Sequence, residues 1–97
     1  MNIGQIAKMA QAQAELREMT LEATAGGGAV RVIVTGAQEV RLIEIDPAAV
    51  DPAEVEMLQD LVMAAVNDAI ARSKELERNR MASVAGGMGL PGLPGLP

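Results

Sequence analysis

The stretch that decides the fold is residues 51–81, DPAEVEMLQDLVMAAVNDAIARSKELERNRM. It opens with a helix-start pattern: Asp51 is placed as N-cap, Pro52 takes the first helical position, and Glu54 is spaced for a capping box. Apolar residues then recur at spacings of three, four and seven, at Val55, Leu58, Val62, Ala65, Ala69 and Leu76. The pattern predicts a helix of about thirty residues, roughly 45 Å long at ~1.5 Å per residue, which is too long for the rest of the chain to cover.

Charge is divided unevenly along this helix. Residues 51–68 carry five acidic side chains and no basic one, whereas residues 72–80 carry four basic and two acidic side chains. The whole chain has a net charge of −5, and residues 36–70 alone hold eight acids against Arg41. Because charges act over only ~8–10 Å at physiological salt, the basic tip of the helix can attract an anion despite the acidic total.

The residues before this helix predict one further helix and three strands. The helix is expected over Ile3–Thr20, which is rich in strong helix formers and carries a narrow apolar seam at Met9, Ala12, Leu16 and Met19. The strands are expected at Leu21–Ala25, Val30–Thr35 and Val40–Ile45. The three glycines at 26–28 predict a hairpin turn rather than a phosphate-binding loop, because a strand and not a helix follows them.

The strand patterns predict a sheet that is apolar on both faces. Val30, Val32 and Val34 share one face while Ile33 lies on the other, and both faces of Val40–Ile45 are apolar. Such a sheet needs two covers. The long helix can supply one, and a second subunit or the first helix can supply the other. The predicted fold class is α+β, a helix followed by an antiparallel three-stranded meander and a long helix.

The composition predicts one small domain that depends on association with another chain. The 97 residues include no Phe, Tyr, Trp or Cys, so a core must come from aliphatic side chains and no disulfide can support it. Neither a secretory leader nor an apolar run long enough to span a bilayer is visible, which favours a cytoplasmic protein. Residues 1–84 are expected to form the domain, and the Gly-, Leu- and Pro-rich residues 85–97 a flexible tail.

The residue types also argue against an enzyme and against a metal or cofactor site. His, Cys and Tyr are absent, and no hydroxyl lies in a nucleophile motif. An acidic cluster is formed by Glu44, Asp46, Asp51, Glu54 and Glu56. Its spacing does not fit a calcium-binding loop, so helix capping and solvated loops are the preferred interpretation.

The four cations near the helix end leave two interpretations open. Cations at a helix C-terminus complement the helix dipole, and cations clustered on one element can also bind nucleic acid. No aromatic platform for stacking and no helix-turn-helix is present, so DNA binding is expected through phosphates with weak sequence preference. The alternative is a protein-interaction scaffold that uses adaptable methionines, namely Met9, Met19, Met57 and Met63.

Several ordered segments resemble the YbaB/EbfC family of bacterial nucleoid-associated proteins. They are Val32-Ile33-Val34-Thr35-Gly36-Ala37, Glu44-Ile45-Asp46-Pro47, Asp60 through Ala69 in the long helix, and Met81-Ala82-Ser83-Val84. The resemblance covers about residues 1–90 and rests on the order and spacing of these segments. Compared with that family, the first helix of this chain is poor in lysine.

The resemblance implies a tweezer-like homodimer whose helical arms hold double-stranded DNA in the nucleoid, with no membrane and no small-molecule substrate as partner. The implied DNA-binding cations are Lys8, Arg17, Arg72, Lys74, Arg78 and Arg80. The shared centre of the dimer is expected at Val32, Val34, Leu42, Leu58, Leu61 and Val62.

Overall fold

A computed structural model describes residues 3–87 and confirms the predicted order of elements. The elements are α1 (Ile3–Glu18), β1 (Thr20–Ala25), β2 (Val30–Thr35), β3 (Val40–Ile45) and α2 (Val55–Gly87), with two short 3-10 turns at Pro47–Ala49 and Pro52–Glu54. The described chain measures 58 × 25 × 16 Å along its principal axes. Helix α2 sets the long dimension, because its 33 residues run about 50 Å at ~1.5 Å per residue.

The three strands form an antiparallel meander with β2 in the middle. Val32 lies opposite both Ala23 of β1 and Ile43 of β3. The register shifts between Ile33 and Val34, so that Arg41 is an extra, bulged residue of β3. Strands β1 and β3 each pair with β2 alone, and both are therefore edges of the sheet.

The core lies between α2 and one face of the sheet. Val30, Val32 and Val34 are fully buried there, which confirms that they share a face. On the helix, Ala65 and Ala69 are fully buried against these valines. Larger side chains surround this centre, at Leu21, Leu58, Leu61, Val62, Val66 and Ile70. The two alanines allow the helix axis to approach the sheet closely, because each presents only a methyl group.

Helix α2 packs on β1 and β2, and β3 lies beyond it. All six residues of β3 are exposed, including Ile43 and Ile45 on the side of the sheet that α2 occupies. The expectation that α1 could cover the second face of the sheet is wrong. No element within residues 3–87 packs across that face, where Ile33 and Leu42 are accompanied by charged side chains.

Helix α1 instead packs beside the C-terminal part of α2. Its buried residues are Ala12 and Leu16. The end of α1 is fixed to the β2–β3 turn, where the Gly36 N–H donates to the carbonyl oxygens of Leu16 and Met19, both at 2.9 Å. A Cβ atom at Gly36 would lie 2.8 Å from Leu16 Cδ2 and 2.9 Å from Leu16 O. The turn therefore requires a residue without a side chain.

Several predicted boundaries differ from the structure. Helix α1 ends at Glu18, because the chain turns into β1 at Thr20. Asp51 does cap the long helix, but its Oδ1 accepts from the Ala53 N–H at 2.9 Å and the first turn is a 3-10 turn. Helix α2 continues past Met81 to Gly87, so the expected domain boundary at residue 84 falls inside it. From residue 88 onward the expected tail lies outside the described residues.

We expect Gly36→Ala to lower the free energy of unfolding by about 1–3 kcal/mol, the usual cost of overpacking. The reason is that a methyl group there would press on the Leu16 carbonyl oxygen, which is backbone and cannot rotate away. Urea denaturation measures the change. Gly86→Ala is the matched control, because a Cβ there meets nothing within 4 Å. It should stabilise α2 by about 0.5–1 kcal/mol, and equal effects of the two substitutions would contradict the account of Gly36.

Candidate nucleic-acid interface

The six cations predicted to bind DNA all lie in one part of the molecule, which we call the arm: α1 together with residues 72–87 of α2. Lys8 and Arg17 are on α1, and the other four are on α2. The arm is not a bare projecting tip, because the two helices pack on each other. Ser73 is buried, and Leu76, Glu77 and Arg80 are half-buried. One side of this basic part of α2 is therefore covered by the rest of the chain.

The Arg72 side chain is used for contacts within its own chain. Its Nη1 donates to the carbonyl oxygen of Glu22 at 2.7 Å and lies 3.8 Å from the Asp68 carboxylate. Glu22 belongs to β1, an edge strand whose outer backbone groups have no strand partner. Arg72 therefore ties α2 to the sheet edge and is less available for phosphate than its position in the sequence suggests.

Arg80 connects the two helices of the arm. Its Nη2 forms an ion pair with Glu15 Oε2 on α1. Its Nε atom is buried and has no hydrogen-bond partner among the described residues. Arg80 is half-buried, and its charge is already paired with Glu15 across the two helices.

The other four predicted cations are free to bind an external anion. Lys8, Arg17, Lys74 and Arg78 are exposed. Within residues 3–87, none of their side chains forms an ion pair or a hydrogen bond. The structure thus divides the six cations into two that hold the fold together and four that face solvent unpaired.

Three of the four free cations lie on one side of the arm. Lys74 and Arg78 line a shallow groove of about 550 Å³. Its other walls come from Gln13, Gln38, Glu77 and Met81. Arg17 lies four residues after Gln13, and residues four apart share a helix face, so Arg17 extends the same side. Lys8 lines a separate groove of about 230 Å³ that also contains Glu15 and Arg80.

A polar network around the buried Ser73 hydroxyl holds the β2–β3 turn against this groove. The Ser73 hydroxyl donates to the Thr35 carbonyl at 2.6 Å and accepts from the Gln38 N–H at 3.1 Å and from Gln38 Nε2 at 3.0 Å. Gln38 Nε2 also donates to the Gly36 carbonyl at 2.9 Å. Sequence reasoning missed this network. Its only trace is that Ser73 continues the four-residue spacing of Ala65 and Ala69 with a polar residue.

The arginines of the sheet are neutralised by neighbouring glutamates. Arg31 pairs with two glutamates: its Nε lies 3.0 Å from Glu22 Oε2, and its Nη1 lies 3.6 Å from Glu44 Oε1. The hydrogen bond and charge of Glu22, with a smaller contribution from Glu44, raise the pKa of Arg31 above its usual value. Arg41 Nε lies 2.9 Å from Glu39 Oε1. The sheet therefore offers no net basic surface.

Two acids before α2 cap the two short 3-10 turns. Asp46 Oδ1 accepts from the Ala48 N–H, and Asp51 Oδ1 accepts from the Ala53 N–H, both at 2.9 Å. The capping interpretation of the acidic cluster holds for these two residues. No group of three or more potential metal ligands occurs in the described part of the chain, and no helix there is long and apolar enough to cross a membrane.

The six residues expected in a dimer centre do not form one surface. Val32 and Val34 are fully buried in their own chain, in the core that they form with α2. Leu58, Leu61 and Val62 are half-buried against the same core. Leu42 is 40% exposed, but it lies on the sheet face opposite α2.

A different group of apolar side chains is exposed. It consists of Val40, Ile43 and Ile45 on the α2 side of β3, Val50 between the two 3-10 turns, and Val55, Met57 and Met63 in the first part of α2. We call it the apolar strip. The alternation of β3 pointed to its first three members, but the sequence did not indicate that α2 would leave them uncovered.

We expect Ser73→Ala to lower the free energy of unfolding by about 1–3 kcal/mol, because it leaves the buried donors and acceptors of the network without their partner. Urea denaturation again measures this. Ser83→Ala, at an exposed position of the same helix, is the control and should change stability by less than about 0.5 kcal/mol. A Ser73→Ala variant as stable as the control would show that the network contributes nothing.

The family model and the relatives found by comparison with known proteins agree on one family. The model of the YbaB/EbfC DNA-binding family matches residues 4–88. A nucleoid-associated protein of Syntrophobacter fumaroxidans is 52% identical over 92% of this chain and 83% of its own length. One of Moorella thermoacetica is 55% identical over 89% of this chain and 83% of its own length. The crystal structure of an uncharacterized Helicobacter pylori protein superposes with a TM-score of 0.68 at 25% identity, over 81% of this chain and 90% of that one.

Proposed function

Since this chain belongs to the YbaB/EbfC DNA-binding family, we propose that it is a nucleoid-associated homodimer that grips duplex DNA through phosphate contacts with little sequence preference. The observation that carries the proposal is the set of unpaired, exposed cations on one side of the arm, Arg17, Lys74 and Arg78. The relatives are named nucleoid-associated proteins, which supports a place in the nucleoid of the cytoplasm. The family is a DNA-binding one, and we propose no catalytic activity.

Phosphate contacts fit the chemistry of this surface better than base stacking does. The chain has no aromatic side chain to stack on a base. Lysine and arginine that lack an internal partner gain from a phosphate without first breaking an ion pair. The arginines that are already paired with Asp68, Glu15, Glu22, Glu44 or Glu39 would have to lose that contact.

A second copy of the chain is the partner that best fits the apolar strip. Met57 and Met63 are 59% and 58% exposed, and Ile43 on the edge strand β3 is 45% exposed. Exposed apolar patches of this kind mark interaction surfaces. A partner there would add apolar burial to a small core that has no aromatic residue. It would also leave the arm, at the other end of α2, open to DNA.

The alternative function, a protein-interaction scaffold, is supported by the same methionines. Met57 and Met63 are well exposed, whereas Met9 is half-buried and Met19 is 38% exposed. If Met57 and Met63 bind a different protein, its capture should survive nuclease treatment and high salt. Replacing Lys74 and Arg78 should not weaken that capture.

We expect the affinity for duplex DNA to fall as the salt concentration rises, because each phosphate contact contributes to the salt dependence. Three free cations per arm and two arms give six phosphate contacts, so log affinity should fall with log salt at a slope near about −5, from ~0.9 per phosphate. The double substitution Lys74→Ala with Arg78→Ala removes four of these contacts per dimer, and the slope should become about −2. Affinity should fall alike for duplexes of different sequence.

The matched control is Arg31→Ala with Arg41→Ala, which removes the same formal charge from arginines that are already paired. Its slope should stay within about one unit of the unsubstituted protein, the effect of about one phosphate contact. No binding at low salt, or a salt-independent affinity, would contradict the proposed function. Equal slopes for the two double variants would contradict the assignment of the contacts.

We expect light scattering at micromolar concentration to give twice the chain mass of 10.1 kDa. Ile43→Glu should shift the protein toward the monomer, because it sets an unpaired charge in the apolar strip. Leu42→Glu is the matched control, since it is adjacent in β3 and similarly exposed but lies on the other face. A monomeric unsubstituted protein would contradict the dimer, and dissociation by Leu42→Glu alone would move the interface to the other face.

A further inference from the structure

Gln38 occupies a backbone conformation that its residue type rarely adopts. Its φ is +60°, and it is the only non-glycine residue with positive φ in the described part of the chain. Glycine takes this conformation without steric cost, and Asn tolerates it better than most residues. Strained positions of this kind cluster at functional sites, where the side chain is what the position supplies. The Gln38 side chain is therefore a candidate for a functional role.

The amide nitrogen of Gln38 is fully used inside the fold. Nε2 donates to the Gly36 carbonyl at 2.9 Å and to the Ser73 hydroxyl at 3.0 Å, which uses both of its hydrogens. The Gly36 carbonyl can only accept, so this bond also fixes which end of the amide is nitrogen. The side chain is thereby held in one orientation, with Oε1 as its remaining polar atom.

The amide oxygen of Gln38 has no hydrogen-bond partner among the described residues, and it is not a buried unsatisfied atom. It is therefore an accessible acceptor held by a fixed amide. Gln38 lines the groove that Lys74 and Arg78 also line, and the carboxylate of Glu77 is a second acceptor there. The groove thus combines two free cations with two acceptors.

Cations and acceptors recognise different parts of DNA. Lysine and arginine attract phosphates, whereas an acceptor oxygen has nothing to gain from a phosphate, which carries only acceptor oxygens. The hydrogen-bond donors that duplex DNA presents in its grooves are the exocyclic amines of its bases: adenine N6 and cytosine N4 in the major groove, and guanine N2 in the minor groove. An acceptor in the same groove as phosphate-binding cations is suited to such an amine.

We propose that Gln38 is a specificity-determining residue whose Oε1 accepts a hydrogen bond from an exocyclic base amine while Lys74 and Arg78 hold the adjacent phosphates. The inference rests on the proposed DNA binding and deepens it, because it assigns a modest sequence preference to one atom. Ser73 acts as a positioning residue, since it holds the amide of Gln38 and touches no DNA in this arrangement.

The test compares duplexes that differ by a single amine. Replacing guanine by inosine removes the minor-groove amine, and replacing adenine by purine, or cytosine by pyrimidin-2-one, removes a major-groove amine. The full-length protein should bind one of these analogue duplexes about 2- to 10-fold more weakly than the natural duplex, the loss expected for one hydrogen bond. The analogue that weakens binding identifies the groove.

Gln38→Gly removes the acceptor and relieves the backbone strain, so it should bind natural and analogue duplexes equally. Gln38→Asn is a second variant, compatible with positive φ, whose shorter side chain draws the acceptor back and should also lose the preference. Ser73→Ala is the control for loss of the network alone and should keep part of the preference. The salt slope should be unchanged in all three variants, because none removes a cation.

Equal affinity of the unsubstituted protein for natural and analogue duplexes, with a normal salt slope, would overturn the role of Gln38 and leave the proposed function intact. Retention of the full preference by both Gln38 variants would also overturn it. Absence of any duplex binding at low salt would overturn the proposed function and this inference together.

Discussion

The contact of α2 with β2 is the constraint on which the rest of the structure depends. Ala65 and Ala69 lie against Val30, Val32 and Val34, and all five are fully buried. Small helix residues against branched strand residues give close packing without aromatic side chains. Because α2 is 33 residues long and the sheet is only three strands wide, its remaining length becomes the scaffold for the arm.

The row of small residues that begins with Ala65 and Ala69 continues into the arm, where its next member is polar. One turn beyond Ala69, Ser73 offers a hydroxyl that ties α2 to the β2–β3 turn through Thr35 and Gln38. That turn also fixes the end of α1 through Gly36. The β2–β3 turn is thus hydrogen-bonded to both helices of the arm. These bonds fix the position of α1 relative to α2, and with it the positions of the cations on their surfaces.

The cations of this YbaB/EbfC family member divide between two tasks. Arg72 and Arg80 join elements that are distant in sequence, and each uses its charge within the fold. Lys74 and Arg78 lie between them along α2 and face solvent. This arrangement explains how an acidic protein can present a basic surface: internal pairing of some cations with acids leaves a local excess on one side of the arm. It also means that a count of arginines overstates the positive charge that is free to meet an external anion.

The sequence by itself determined the order and type of the elements, the capping role of Asp51 and the face shared by Val30, Val32 and Val34. These follow from local causes: side-chain periodicity, β-branching and the hydrogen bonds of a cap. Only the tertiary structure decided which cations are free, because Glu22 is 50 residues from Arg72 and Glu15 is 65 residues from Arg80. It likewise decided that Val32 faces its own helix, that β3 stays uncovered and that Gln38 lies beside Lys74. Each of these depends on where a long helix crosses a narrow sheet, and no local pattern encodes that crossing.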